Sequence, residues 1–169
     1  MSDNLPTPHM IRRAIEATAP HGGSRSDTVW LGSATHLAGD KKLGSGVVYA
    51  MWPPLHIVSE IWAAGGMNAD QRATMDAVKA PKAGLLARSG QARGGAAFVA
   101  LSNEVCVVHA LEVDAHHRRR GVGALLLKTA SVWALDQGAT QIALRAPTEN
   151  VAAQALFAHV GMDLLAASD

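Results

Sequence analysis

Charge is scarce in this chain, and neither sign dominates. Charged residues make up 17% of the 169 residues, with 15 Lys and Arg against 14 Asp and Glu, a formal net charge of +1. Such a balance excludes a polycation built to coat nucleic acid. Aromatic residues are also few, at 4%, and no stretch interleaves them with basic residues as single-strand-binding surfaces do. No nucleic acid is therefore expected as a partner. There is one cysteine, Cys106, which excludes an intramolecular disulfide and suits a reducing, cytoplasmic setting. No run of about 18 apolar residues occurs, so no membrane association by a spanning helix is expected. The opening MSDNLPTPHMIRR has no apolar core of the kind a secretory signal needs.

What is plentiful is apolar surface. Hydrophobic residues make up 49% of the chain, enough for a packed core and against disorder. The length suits one domain. With so few charges and a mean hydropathy of +0.10, an exposed apolar patch is expected, and such patches mark interfaces. A homodimer is the expected assembly, because twofold symmetry is the commonest closed solution.

Punctuation by glycine, proline and cap residues divides the chain into elements. A helix is expected over Thr7–Ala19, with Pro8 near its start and a break at Pro20–Ser26. Asp27–Ser33 and Gly46–Trp52 suit strands separated by a turn at Gly39–Gly44. Two helices are expected at Leu55–Ala64 and Asn68–Val78, parted by Gly65-Gly66. Strands follow at Ala83–Arg88, Gly94–Leu101 and Val105–Val113, the first two joined by Ser89–Arg93. Helix Gly121–Gln137, strand Gln141–Arg145, helix Glu149–Val160 and a short strand near Met162–Ala166 complete the order. Antiparallel hairpins followed by a β-α-β-α-β end predict an α/β (α+β) domain with one mixed central sheet flanked by helices.

The richest stretch is Leu111–Leu127, LEVDAHHRRRGVGALLL. Val105, Val107, Leu111 and Val113 share an alternation that suits the strand before it. Val122, Leu125, Leu126, Thr129 and Trp133 fall at helical spacing after it. Between them Arg118, Arg119 and Arg120 lead into Gly121-Val122-Gly123. The first N–H groups of a helix have no intrahelical partner, and the helix dipole is positive there. Glycine lets a ligand approach the backbone. This describes an anion site for a phosphate or pyrophosphate. It is not a dinucleotide GxGxxG, since Ala124-Leu125-Leu126 supplies no third glycine. It is not a P-loop, since no Gly-Lys-Ser/Thr follows.

Arg118-x-x-Gly121-x-Gly123 after a strand ending Leu111-x-Val113 resembles the acetyl-CoA-binding signature of the GNAT family of N-acetyltransferases. Downstream, Asn150–Met162 is similar to that family's Asn-x-x-Ala-x-x-Leu-Tyr-x-x-x-Gly-Phe segment, with Phe157 at the tyrosine. The resemblance covers roughly residues 84 to 166. It implies an acyl-CoA N-acyltransferase-like fold, with residues 66–169 as the acetyl-CoA-binding core. Residues 1–65 are then a divergent N-terminal segment of the same domain.

The resemblance also implies roles. Arg118, Arg119, Arg120, Gly121, Val122, Gly123 and Ala124 would cradle the CoA pyrophosphate, while Leu111 and Val113 run beside the pantetheine arm. The Val113 N–H would stabilise the oxyanion of a tetrahedral intermediate formed by direct attack of a primary amine. Asn150 would reach the cofactor from the last helix, its other reading being a helix N-cap, for which Thr148 is the better residue. No metal is expected: His116-His117 beside the arginines have no partner at ligand spacing and suit a solvated turn.

Amine acetylation needs a base and an acid. Leu111, two before Val113, cannot titrate, and the position of the glutamate base of histone-type members is Val107. His109 is the candidate base, since Val-His109-Ala-Leu-Glu-Val resembles the arylalkylamine acetyltransferase branch and a histidine titrates near neutral pH. Its other reading is a hydrogen-bonded core histidine. Glu112 is expected on the opposite sheet face. Phe157 has no proton to give, so a catalytically weak acyl-CoA-binding or sensor domain stands as the alternative. Cys106, Trp52, Trp62 and Trp133 are expected in the core. Trp30 and Trp62 are candidates to line an acceptor pocket. The acceptor is expected to be a small-molecule or peptide amine.

Overall fold

The computed structural model describes residues 6–20, 27–43, 48–89 and 92–165. Residues 21–26 of the expected break Pro20–Ser26, Gly44 of the expected turn, the first two residues of the expected strand Gly46–Trp52, the centre of the turn at 90–91 and the final residue of the last expected strand lie outside them. Helix α1 spans Pro8–Thr18, and the Thr7 hydroxyl caps it by accepting from the Met10 N–H at 3.3 Å. Strand β1 is Asp27–Ser33, and β2 is Val48–Met51. Between them lies helix α2, Ala34–Ala38, capped by Ser33. The sequence reading did not anticipate α2, because five residues are too few to show a helical period. Helices α3, His56–Ala64, and α4, Ala69–Ala77, follow. Asn68 and Gln71 form a reciprocal capping box at the start of α4.

The remaining elements are β3 (Lys82–Ser89), β4 (Ala92–Ser102), β5 (Val105–Val113), α5 (Val122–Asp136), β6 (Gln141–Pro147), α6 (Val151–His159) and β7 (Asp163–Leu164). They form one seven-stranded mixed sheet in the order β2-β3-β4-β5-β6-β1-β7. The N-terminal segment is thus built into the sheet: β1 pairs along its length with β6, from Asp27↔Pro147 to Ser33↔Gln141, and with β7 on its other side. No helix among the described residues is long and apolar enough to cross a membrane.

Alternation along the strands fills two faces. On one, Ala97 and Val99 of β4 and Cys106 and Val108 of β5 pack with Leu126, Leu127 and Ala130 of α5. On the other, Ala96, Phe98 and Ala100 meet Val58, Ile61 and Trp62 of α3, and Val105 and Val107 meet Ile11, Ala14 and Ile15 of α1. Trp30 and Trp62 therefore belong to separate cores, which removes Trp30 from any pocket shared with Trp62.

The alternation breaks within β5. Ala96 faces Glu112 and Phe98 faces His109, so β5 spends two residues where β4 spends one. The extra residue sits at Ala110, held at a φ of 50° in the left-handed region. The indole N–H of Trp62 donates to the Ala110 carbonyl at 3.0 Å. This β-bulge re-aims every side chain after it. Val105 and Val107 face α1, but Leu111 and Val113 pack with the α5 core. The continuous alternation expected from Val105 to Val113 does not hold. Glu112 consequently shares a face with His109 rather than opposing it.

Trp62→Ala removes a large side chain that is 1% exposed and frees the Ala110 carbonyl. A loss of about 3–5 kcal/mol is expected from the cavity and the lost bond. Denaturant unfolding checks this; a loss below about 1 kcal/mol would show that α3 does not hold the bulge.

Candidate functional site

Strands β5 and β6 run parallel and pair only at Val105↔Gln141, Cys106↔Ile142 and Val107↔Ala143. Beyond Val107 they splay. The gap opens onto the first turns of α5 and α6 and forms a groove of about 610 Å³. Leu111, Glu112 and Val113 line one wall, and Arg118, Arg119 and Gly121–Ala124 line its head. Asn150, Ala152, Ala153 and Leu156 of α6 close the other side.

The two motif glycines do different work. Gly121 is the N-cap of α5 at a φ of 77°, a left-handed conformation that costs glycine little. Gly123 is buried, and a Cβ there would lie 2.7 Å from Cδ2 of Leu156, so its lack of a side chain lets α6 close against α5. The first intrahelical bond runs from the Leu125 N–H to the Gly121 carbonyl at 2.9 Å. The N–H groups of Val122, Gly123 and Ala124 precede it at the groove's head, with the positive end of the helix dipole behind them. Asp114 leads the chain into this turn: its N–H donates to the Gly94 carbonyl at 2.8 Å and its side chain accepts from the His116 N–H at 3.0 Å. Arg118 and Arg119 are exposed and reach the groove; Arg120 is exposed and is not among its lining residues.

Asn150 takes the capping role that the sequence allowed as its other reading. Its Oδ1 accepts from the Ala153 N–H at 3.1 Å as the N-cap of α6, and the residue lines the groove. Thr148, preferred as the cap from sequence, instead accepts from the Gln154 side chain through its carbonyl.

A second recess, of about 250 Å³, adjoins the groove. Ile61, Ala64 and Gly65 at the end of α3 face Glu112, Val113 and the Asp114–His116 turn, with Arg118 at the side. Three residues, Glu112, Val113 and Arg118, line both cavities and form the ridge between them. Burial pushes the half-buried Glu112 carboxyl above the usual glutamate range, while the nearby Arg118 guanidinium pulls the other way.

His109 lies elsewhere. It is 7% exposed, its ring stacks on Phe98 at 6.1 Å between centroids, and its Nε2 is 2.7 Å from the Thr18 hydroxyl. It is not among the residues lining the groove or the recess. Phe157 is 2% exposed and packs edge-on against Trp30 at 5.8 Å. Cys106 is fully buried, and burial raises its thiol far above the normal range. Among the described residues no group of three or more His, Cys, Asp or Glu is placed to hold a metal ion.

Sequence reasoning missed Ala152, Ala153 and Leu156, small or apolar groove residues with no chemical signature. It also missed Ala64 and Gly65 in the recess, although Ile61 was among the residues of 50–80 expected to give an acceptor groove its apolar lining. The Gly65-Gly66 pair marked only a helix end, and His109-Ala-Leu-Glu112 carries no glycine to announce a bulge.

A sequence model described as the acetyltransferase (GNAT) family matches residues 51–162. That match begins within the segment expected to be divergent, at the end of β2. No curated protein matches the chain in sequence. Among solved structures, a functionally unknown conserved protein from Staphylococcus epidermidis ATCC 12228 aligns with a TM-score of 0.62 at 9% identity, over 82% of this chain and 57% of that one. A GCN5-related N-acetyltransferase from Kribbella flavida aligns at 0.58 and 16% identity, over 81% of this chain and 53% of that one. The chain thus spans little more than half the length of these two proteins. A structure of AAC(6')-Iy in complex with the bisubstrate analog CoA-S-monomethyl-acetylneamine aligns at 0.58 and 16% identity, over 75% of this chain and 96% of that one. At these identities the likeness is one of fold.

His109→Ala removes a buried ring that joins β5 to α1 through Thr18. A destabilisation of roughly 1–3 kcal/mol is expected from the lost bond and packing. Thermal melts decide it; an unchanged melting temperature would mean the ring carries no packing role.

Proposed function

The chain belongs to the GNAT acetyltransferase family, and on that premise we propose that it transfers the acetyl group of acetyl-CoA to a primary amine. One observation carries the reading: the groove between α6 and the end of β5, where β5 no longer pairs with β6, ends on the open N-terminus of α5, with two arginines at its head. An anionic, elongated ligand fits that shape. The cradle fits as well, because Gly121 turns the chain where other residues would be strained and Gly123 lets Leu156 of α6 close the groove's side.

Acetyl-CoA supplies an acetyl group activated as a thioester. The chain's own residues bind and orient it. The N–H groups of Val122, Gly123 and Ala124, with the cations Arg118 and Arg119, hold the pyrophosphate; Arg120 adds positive charge from outside the groove. Leu111 and Val113 give the pantetheine arm an apolar wall. The Val113 N–H is the donor to an acyl oxygen as negative charge develops on it. Asn150 spends its Oδ1 on capping α6, which leaves its amide nitrogen for the cofactor.

The acceptor enters from the recess beside α3. Its lining mixes the apolar Ile61, Ala64 and Val113 with the acidic Glu112 and Asp114, and with His116 and Arg118 on the side toward the groove; the two carboxylates suit a small-molecule or peptide amine with an apolar neighbour to its nitrogen. His109, buried against Thr18 and Phe98, serves in this reading to seat β5 beside the bulge. Phe157 packs a core, and solvent protonates the departing thiolate. A cytoplasmic setting and a homodimer belong to the same reading. They rest on the single reduced cysteine and on the partly exposed Tyr49 and Met51 of the edge strand β2.

Acetyl-CoA at millimolar concentration is expected to raise the melting temperature. Binding to the native state alone stabilises by about 2.7 kcal/mol at a hundredfold excess over Kd. Gly121→Glu should remove the rise, since a carboxylate would occupy the phosphate cradle. An unchanged wild-type melting temperature would contradict the reading.

A further inference from the structure

The ridge between groove and recess carries one ionisable group whose place the strand pattern alone would not give. The bulge at Ala110 turns Glu112 toward α3, away from the face of Leu111 and Val113. There its carboxyl lies against the backbone of Gly65, the residue that ends α3. A Cβ on Gly65 would stand 2.5 Å from Cδ of Glu112 and 2.7 and 2.9 Å from its two oxygens. Any residue other than glycine would displace the carboxylate. Glu112 is also adjacent in sequence to Val113, the N–H donor that the transfer reading assigns to the acyl oxygen.

Resting on that reading, we propose that Glu112, turned into the recess by the bulge and given room by Gly65, receives the acceptor's ammonium group and takes its proton. The Glu112 carboxylate accepts one proton from the ammonium and frees the nitrogen lone pair. That pair forms the C–N bond to the acyl carbon, and the C–S bond breaks with its pair on sulfur. The nitrogen's second proton neutralises the thiolate through solvent, and Glu112 returns the first to solvent.

The surroundings suit this role. Facing Glu112 are Asp114, His116 and Arg118 from the following turn, while α3 contributes only Ile61, Ala64 and Gly65 to the recess. Opposite on β4 is Ala96, and His109 precedes Glu112 on the same face. Burial raises the carboxyl's affinity for a proton, bringing it closer to an efficient base near neutral pH.

The test uses the full chain, with acetyl-CoA and either benzylamine or spermidine as probe amines, and follows thiol release. Glu112→Gln is expected to lower kcat by about 10²–10⁴-fold and to flatten the rise of rate with pH, with the acetyl-CoA-induced melting shift intact. Gly65→Ala keeps the carboxylate but moves it, so kcat should fall while KM for acetyl-CoA holds. A second readout needs no turnover. A carboxyl whose folded pKa is raised above the ordinary 4.5 stabilises the fold below that pH and loses this contribution as pH rises through the folded value. The melting temperature of Glu112→Gln relative to wild type should therefore climb with pH across that window and then level. A variant within about twofold of wild-type kcat, a melting difference flat in pH, or loss of acetyl-CoA binding together with rate would overturn the assignment. A wild type stabilised by acetyl-CoA but silent with both amines is decided by the melts. A wild type that acetyl-CoA does not stabilise would instead overturn the transfer reading.

Discussion

One extra residue in β5 governs the working end of this molecule. Ala110 sits at a φ of 50°, in a region that costs an L-residue about 1 kcal/mol or more. The conformation is held from outside the strand, by the Trp62 indole on the Ala110 carbonyl and by His109 anchored to Thr18 just before it. Both anchors come from helices packed on the same sheet face, α3 and α1. The bulge thus depends on the core beneath it, and the site depends on the bulge.

β5 pairs with both neighbours only as far as Val107 and with β4 alone beyond it. Past the bulge the reversed alternation sets the walls on either side of the ridge. Leu111 and Val113 turn toward α5, where an apolar chain can lie along them, and Glu112 turns toward α3. The helix start at Gly121 then closes the groove's head with backbone donors and positive charge. Glycines permit the approaches: Gly123 admits Leu156, and Gly95 lets α5 lie close to the paired ends of β4 and β5, where a Cβ would meet the Glu112 carbonyl at 2.6 Å.

Where a feature was written in consecutive residues, the sequence disclosed it. The Arg118–Gly123 turn, the strand Val105–Val113 and the helix after it all stand where local chemistry put them. So did the mixed sheet flanked by helices, because hairpins followed by alternating strands and helices leave few other arrangements. What stayed hidden was non-local. The place of β1 between β6 and β7 is a pairing across the whole chain, and no spacing within Asp27–Ser33 records it. The bulge is settled by Trp62, nearly fifty residues upstream, so strict alternation put Glu112 on the wrong face and left His109 as the more attractive base. For Asn150 the cap reading stands, and the residue lines the groove as well.

The central claim is that the splayed end of β5 and the start of α5 together form the acetyl-CoA site. Amide NMR on the isotope-labelled chain, titrated with acetyl-CoA, tests it residue by residue. The account predicts that the N–H signals of Val113, Val122, Gly123 and Ala124 shift together, while those of Ile11, Ala14 and Ile15 in α1, on the far face of the sheet, stay still. Shifts centred on α1, or a titration that leaves Val113 and Gly123 unmoved, would contradict it.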